Sequence, residues 1–496
     1  MTYPTYHNLI GGEWVPAASG KTILNLNPAD HFDVVGSFPT SGADDVDQAV
    51  AAAKKAFVTW RLVPAPKRAE ILLRAGVLLQ ERKEKYARDM TREMGKVLAE
   101  TRGDVQEAID EAFYVAGEGR RLFGQTAPSE LKNKFAMSVR MPLGVVGLIT
   151  PWNFPMAIPS WKLFPALVCG NTCVIKPAED APLSTYNLVQ TLIDAGLPPG
   201  VVNIVSGFGP EAGAPLVEHL DVRAVSFTGL SEVGSQVGQR AAANFKPVSL
   251  EMGGKNAQIV LNDANLDLAL DGALWGAFGT TGQRCTATSR ILLQKGIAAD
   301  FTAKFVARAK TLKVGSGLDE ATEVGPQVNE AQIKTSAKYV EIAVNEGAKL
   351  LTGGHALTDG GYAGGTFFEP TVFGGVRPAM RIAREEVFGP VVSFIEFDTF
   401  EEAVEIANSI DYGLSTALYT KDVNRAFAAI RDLEAGITYI NAPTIGAEVH
   451  LPFGGVKQTG NGHREGLGAI DFFTTWKAVY VDYSDKLQRA QIDNTE

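Results

Sequence analysis

From residue 144 onward short apolar runs alternate with longer amphipathic stretches. The runs Val145–Ile149, Cys173–Ile175, Val201–Val205, Ala224–Phe227 and Pro247–Leu250 have the length and β-branched content of buried strands. Between them, residues 155–168, 183–195, 210–219 and 231–243 repeat their apolar positions at helical spacing. Strands that alternate with helices predict βαβ units and a parallel sheet. A second α/β region follows, from the run at Asn256 to about residue 466. Upstream, residues 41–118 read as helices. Ser41 and Asp44 are expected caps, and Ile71, Leu72, Ala75, Leu78, Leu79, Arg82 and Tyr86 show helical spacing with one apolar face. Residues 123–142 and the aromatic tail Phe472–Tyr483 alternate as extended chain does, predicting an arm or hairpin and a late strand.

Asn153, Lys176, Thr228 with Gly229, and Glu251 are each placed just past the C-terminal end of a predicted strand. That edge of an open parallel sheet is where ligands bind. Four chemically useful groups at successive strand ends direct attention there.

Composition narrows the classes. The 496 residues exceed one ordinary core and predict two or three domains. The formal net charge of −10 disfavours a nucleic-acid partner, which needs clustered Lys and Arg. No apolar run has the ~18 residues of a membrane span, and Met1–Gly12 lacks a signal-peptide pattern. Three cysteines, Cys169, Cys173 and Cys285, form no disulfide framework and fit a reducing, cytoplasmic setting. With six His scattered among them, no metal-ligand spacing appears.

Cys285 stands in Gly-Gln-Arg-Cys-Thr, Asn153 in Pro-Trp-Asn-Phe-Pro, Glu251 in Leu-Glu-Met-Gly-Gly-Lys, and Glu386 in Glu-Glu-Val-Phe-Gly-Pro. A nucleophilic thiol, an amide donor and carboxylates point to acyl chemistry through a thioester. In this order, from Gly11 to Trp476, the motifs resemble the aldehyde dehydrogenase superfamily. The resemblance implies an α/β fold: a Rossmann-like cofactor domain (1–123 and 143–252), an α/β catalytic domain (253–469) and a β oligomerisation arm (124–142 and 470–496). It implies a homo-oligomer, dimer or tetramer, that oxidises a small aldehyde.

The resemblance also assigns residues. Cys285 is the expected nucleophile, Asn153 the oxyanion donor and Glu251 the base that hydrolyses the thioester. Lys176 and Glu179 match the cofactor's ribose contacts, and Glu179 favours NAD while leaving NADP possible. Glu386 and Phe388 match contacts to the nicotinamide ribose and ring, Thr228 opens the stretch that meets the pyrophosphate, and Trp152 is a further expected cofactor contact. Gly209, Gly229, Leu230 and Gly234 lie in the phosphate territory. Leu230 departs from the family's usual Ser there; neighbouring Ser231 and backbone N–H groups are the expected substitutes, with cofactor binding weakened. Phe154, Trp161 and Phe453 resemble tunnel residues, although aromatics are more often core. Arg284 is expected either to attract a substrate carboxylate or to sit in a structural salt bridge.

The Cys285 motif and the 441–455 loop look like bacterial 2-oxoglutarate semialdehyde dehydrogenases, and somewhat like aminoadipic semialdehyde dehydrogenases. A general aliphatic or aromatic aldehyde dehydrogenase, a coenzyme A-acylating enzyme (disfavoured by Glu251) and a silent structural homologue are the alternatives.

Overall fold

The computed structural model describes residues 3–461 and 466–493. Five parallel strands form the heart of the first sheet, in the spatial order Val248–Glu251, Val222–Thr228, Val145–Ile149, Thr172–Lys176 and Val202–Ile204. Helices Ala157–Val168, Leu183–Asp194 and Ser231–Ala242 form the longer crossovers. The chain leaves Val145–Ile149 toward one side of the sheet and later returns to its other side. Such a reversal opens a crevice at the strands' carboxyl ends. Two antiparallel strands, Asn8–Ile10 and Glu13–Val15, extend the far edge. Gly11 and Gly12 turn between them with φ of 67° and 97°, a hairpin geometry that side chains resist.

The structure moves some expected boundaries. Lys176, Thr228 and Glu251 are the last residues of their strands rather than the first beyond them. The expected helix at 210–219 divides into a π-helical turn, Gly209–Gly213, and a short helix, Ala214–Glu218. Pro210 and Pro215 lack the N–H a regular ladder needs. Neither Ser41 nor Asp44 caps the first helix, Ala43–Trp60. Gly42 is its N-cap, with the Gly42 amide donating to Asp45 Oδ2 at 3.0 Å. The Ser41 hydroxyl instead accepts from Asn8 Nδ2 at 2.7 Å. Helices Ala65–Met94 and Leu98–Glu118 complete the predicted helical region. The hairpin strands Thr22–Asn27 and Asp30–Pro39 have no counterpart in the sequence reading.

The second sheet has seven strands, with Thr288–Gln294 near its centre between Asn256–Val260 and Val391–Phe397. All its pairings are parallel except that of Lys349–Thr352. Gln125–Pro128, Lys134–Pro142 and Thr474–Asp482 form a separate three-stranded antiparallel sheet from the predicted arm and tail. Parts of the expected segments, namely 1–2, 462–465 and 494–496, lie outside the described residues. Among the described residues no helix is long and apolar enough to cross a membrane.

Candidate active site

Cys285 lies in an irregular loop after helix Leu266–Phe278. Thr280 and Thr281 there have φ of 51° and 57°, and Gly282 has φ of 70°. Left-handed backbone is a genuine outlier for β-branched residues and persists only where surroundings impose it. Here they do. Glu100 accepts from the Thr280 amide at 2.8 Å, and Thr281 Oγ1 donates to the Gly325 carbonyl at 2.9 Å. Gln283 Oε1 accepts from the Val328 amide at 2.9 Å. Asn256 Nδ2 donates to the carbonyls of Cys285 at 2.7 Å and Ala287 at 2.9 Å. Asn153 is buried, and its Nδ2 donates to the Gln283 carbonyl at 3.1 Å. That bond fixes the amide's orientation beside the thiol loop.

Cys285 faces two cavities. One, about 290 Å³, is lined by Trp152, Asn153, Thr228, Gly229, Leu230, Glu386 and Phe388. The other, about 350 Å³, is lined by Glu100, Glu107, Phe154, Trp161, Trp275, Arg284 and Phe453, with further contributions from the 446–447 loop. Cys285 and Ile158 line both. A third cavity, about 270 Å³, lies at the sheet's carboxyl edge against Lys176, Glu179, Gly209 and Arg240. Helix Ser231–Ala242 begins between the first and third, with Leu230 in one lining and Val233 in the other.

The glycines differ in purpose. A Cβ on Gly209 would meet nothing within 4 Å, so it borders open space. One on Gly229 would fall 2.6 Å from the Phe227 ring, and one on Gly234 2.2 Å from Met252 Sδ. Those two are required by the protein's own packing. Gly253 and Gly254 would strike the Glu386 carboxylate and the Cys285 carbonyl, at 2.2 and 2.4 Å.

Leu230 is the N-cap of its helix and 63% exposed, with no side-chain capping bond. Ser231, its expected substitute, donates its hydroxyl to the Gln458 carbonyl at 3.2 Å and also bonds Tyr412. Its hydroxyl is already committed.

Glu386 is buried. Desolvation raises its carboxyl to about 7, opposed by the Gly254 amide and by Lys255. The Gly254 N–H donates to it at 2.9 Å. Lys255 is fully buried, and its Nζ has no hydrogen-bond partner among the described residues. Burial, reinforced by Arg290, lowers that amine to about 7. Phe388 has φ of 57°; its carbonyl accepts from Gln332 Nε2 at 2.9 Å, and its ring meets Trp152 edge-on at 5.4 Å. Lys176 Nζ donates to the Pro177 carbonyl at 2.9 Å and to Glu179 at 3.3 Å. Burial lowers the Lys176 amine, with Glu179 opposing.

On the other side of the thiol, Arg284 Nη2 pairs with Glu100 at 2.9 Å and Nε donates to Thr280 Oγ1 at 2.8 Å. Both side chains of the pair are 11% exposed. Phe154 lies between two cations: Lys96 Nζ is 3.8 Å from its ring centroid, Arg284 5.2 Å. Lys96 also donates to Asp104 at 2.6 Å in a fully buried pair. Trp161 and Phe453 stand with ring centroids 5.6 Å apart.

The structure therefore brings Asn153, Cys285 and the expected nicotinamide and tunnel residues around one sulfur. Lys176, Glu179 and Gly209 lie in the third cavity. Glu251 is buried at the end of its strand, beside Thr228, and lines neither cavity at the thiol. The sequence reading missed Glu100, Lys96 and Asp104. Their signal was a spacing of four residues within the predicted helical region, which an ordinary solvated helix face also shows. It also missed Arg240, which is hidden in an ordinary amphipathic pattern. Among the described residues no group of three or more His, Cys, Asp or Glu has a metal-holding arrangement. Cys169 and Cys173 are buried, and burial raises both thiols, Cys169 to about 12.

A two-sheet α/β fold with a thiol at the wall between two cavities is the arrangement of an enzyme that can hold its substrate covalently beside a second bound group. The chain belongs to the aldehyde dehydrogenase family, whose model matches residues 14–479. It is 44% identical over 478 residues to the alpha-ketoglutaric semialdehyde dehydrogenase of Bacillus subtilis (strain 168), covering 96% of this chain and 98% of that one. It is 42% identical to the alpha-ketoglutarate semialdehyde dehydrogenase of Haloferax volcanii, over 97% and 100% of the two chains. Among solved structures, a putative aldehyde dehydrogenase from Burkholderia cenocepacia superposes with a TM-score of 0.95 at 38% identity, covering 98% of this chain and 99% of that one. Betaine aldehyde dehydrogenase from Staphylococcus aureus in complex with NAD+ superposes equally, TM-score 0.95, at 34% identity over 97% and 96%.

Proposed function

We propose that this enzyme oxidises a carboxylated semialdehyde, 2-oxoglutarate semialdehyde foremost, to its acid with NAD preferred over NADP. The observation that carries the reading is the position of Cys285 on the shared wall of two cavities. One is ringed by Trp152, Glu386 and Phe388, the other by Phe154, Trp161, Arg284 and Phe453. Open space at Gly209, a helix N-terminus between two cavities and the Lys176–Glu179 pair fit a dinucleotide. When bound, the nicotinamide supplies the acceptor for the aldehyde's hydride.

Cys285 attacks the carbonyl, and the Asn153 amide stabilises the oxyanion that forms; one such donor is worth roughly 100–1,000-fold in rate. Glu251 then activates the water that hydrolyses the thioester, which requires its side chain to turn toward the sulfur. Glu386 holds the nicotinamide ribose, and Phe388 and Trp152 back the ring. Glu179 accepts from the adenosine ribose and opposes a 2′-phosphate. Arg240, in the same cavity and paired with Glu218 at 2.5 Å, favours the second reading, NADP use. The separate β sheet with exposed Trp476 and Tyr480 supports assembly with further copies of the chain.

A panel of propanal, benzaldehyde, succinic semialdehyde and 2-oxoglutarate semialdehyde, each with NAD and NADP, tests this. A kcat/KM that favours the carboxylated substrates with NAD is expected. Preference for the uncharged aldehydes refutes the substrate assignment, and failure of all four refutes the activity. The Glu251→Gln variant is expected to retain a first-turnover burst of NADH while steady turnover falls roughly 100–10,000-fold. Loss of the burst argues against a hydrolytic role.

A further inference from the structure

Helix Leu98–Glu118 carries a stripe of protic side chains that begins at the cavity holding Cys285. Glu107 lines that cavity. Glu111, Tyr114 and Glu118 follow at intervals of four, three and four residues, with Arg121 three further on. Residues at such intervals share one helical face, their Cβ atoms about 5–6 Å apart. Their electrostatics agree: Glu107 acts on Glu111, and Glu118 and Glu111 both act on Tyr114. Glu118 Oε1 pairs with half-exposed Arg121 at 2.5 Å, so the stripe ends in water.

Glu111 is the anomaly. It is 0% exposed, and neither carboxyl oxygen has a hydrogen-bond partner among the described residues. Glu118 Oε2 shares that condition. The neighbouring Ala108, Ala112 and Val115 are fully buried apolar residues, so packing alone has no use for an acid here. Desolvation, reinforced by Glu107, pushes the Glu111 carboxyl well above the ordinary carboxylate range.

We propose that Glu111, with Tyr114 and Glu118, relays protons from the Cys285 cavity at Glu107 to solvent at Arg121. The inference rests on the aldehyde-oxidising reading. Oxidation of an aldehyde to a carboxylate consumes one water and releases two protons, while the hydride leaves to the nicotinamide. A proton taken up on one oxygen of Glu111 is matched by one leaving its other oxygen. The acid returns to its starting state, and no bond to substrate forms.

The test follows NADH absorbance and a pH indicator in the same stopped-flow record, for the whole enzyme and its Glu111→Leu, Glu111→Gln and Glu111→Asp variants. In the Leu and Gln variants the NADH burst is expected to persist while proton release slows by roughly tenfold or more. The solvent isotope effect on steady turnover rises, and Asp restores part of the rate. Glu111→Leu is also expected to raise the melting temperature, because it removes a buried acid without a partner. Proton release that keeps pace with NADH in either variant overturns the relay alone. Should Leu fail to fold, near-isosteric Gln decides. Absence of NADH from the unmodified enzyme with every aldehyde overturns the functional reading and the relay together.

Discussion

Replacing Glu100 with Gln separates the two roles open to Arg284. The pair is 2.9 Å apart with both side chains 11% exposed, and it borders the cavity that holds Cys285. At an effective dielectric of ~20, unit charges ~4 Å apart attract by about 4 kcal/mol. Arg284 keeps its bond to Thr280 in the variant but loses its anionic partner. If a third of that attraction passes to a substrate carboxylate, binding improves by about 1.4 kcal/mol, or roughly tenfold. The same change costs about 1–3 kcal/mol of stability, since one of the bonds Glu100 accepts is lost. The assay compares KM for 2-oxoglutarate semialdehyde and for propanal at low and high ionic strength. A fall in KM of roughly tenfold for the charged substrate, shrinking with salt, is expected, with propanal changed by less than about twofold. Equal effects on both substrates, or a higher KM for the charged one, would show that Arg284 only anchors the Thr280 turn.

Leu230→Ser is expected to tighten cofactor binding by about 1–2 kcal/mol, roughly 5–30-fold in Kd by calorimetry, because neighbouring Ser231 already donates to Gln458. An unchanged Kd would mean that backbone groups suffice. Lys255→Met is expected to stabilise the cofactor-free protein. The folded amine loses its proton near 7, the unfolded one near the ordinary lysine value of 10.5. The penalty for burying the charge is thus full below pH 7 and fades as pH rises toward 10.5. Denaturant midpoints should therefore rise in the variant at pH 6 and converge with the unmodified enzyme toward pH 10; a gain that grows with pH would contradict the sign. Tyr480, 68% exposed on the tail strand, is a direct probe of assembly. Tyr480→Asp should lower the mass seen by light scattering, and an unchanged mass would remove this face from the interface.

The parallel sheet was legible because its strands are short, buried on both faces and punctuated by amphipathic helices. Val145–Ile149 was bounded as observed for that reason. Lys176, Thr228 and Glu251 were placed one residue too late, since a strand's last polar residue looks like the start of a loop. The N-terminal strands escaped notice because two are only three residues long and Thr22–Asn27 alternates in the inverted sense, with Leu24 and Leu26 exposed and Asn25 and Asn27 buried. At the site, chemistry-bearing motifs announced themselves, but pairing did not. Nothing in a linear chain shows that Glu100 reaches across 184 positions to Arg284. Ser231's commitment to Gln458, 227 positions away, was hidden for the same reason. These partners are chosen by tertiary packing, which spacing does not encode.

The left-handed pair Thr280–Thr281 bears on how portable this chemistry is. The reactive loop does not hold its own shape; Glu100 and the Gly325 carbonyl impose it from remote stretches of chain. Transplanting Gly-Gln-Arg-Cys-Thr onto another scaffold would carry the thiol but leave behind the clamps, and the two threonines would relax to ordinary backbone. A graft would have to include a carboxylate and a carbonyl in register with the turn. A side chain at position 100 with no acceptor for the Thr280 amide would release the turn in the same way.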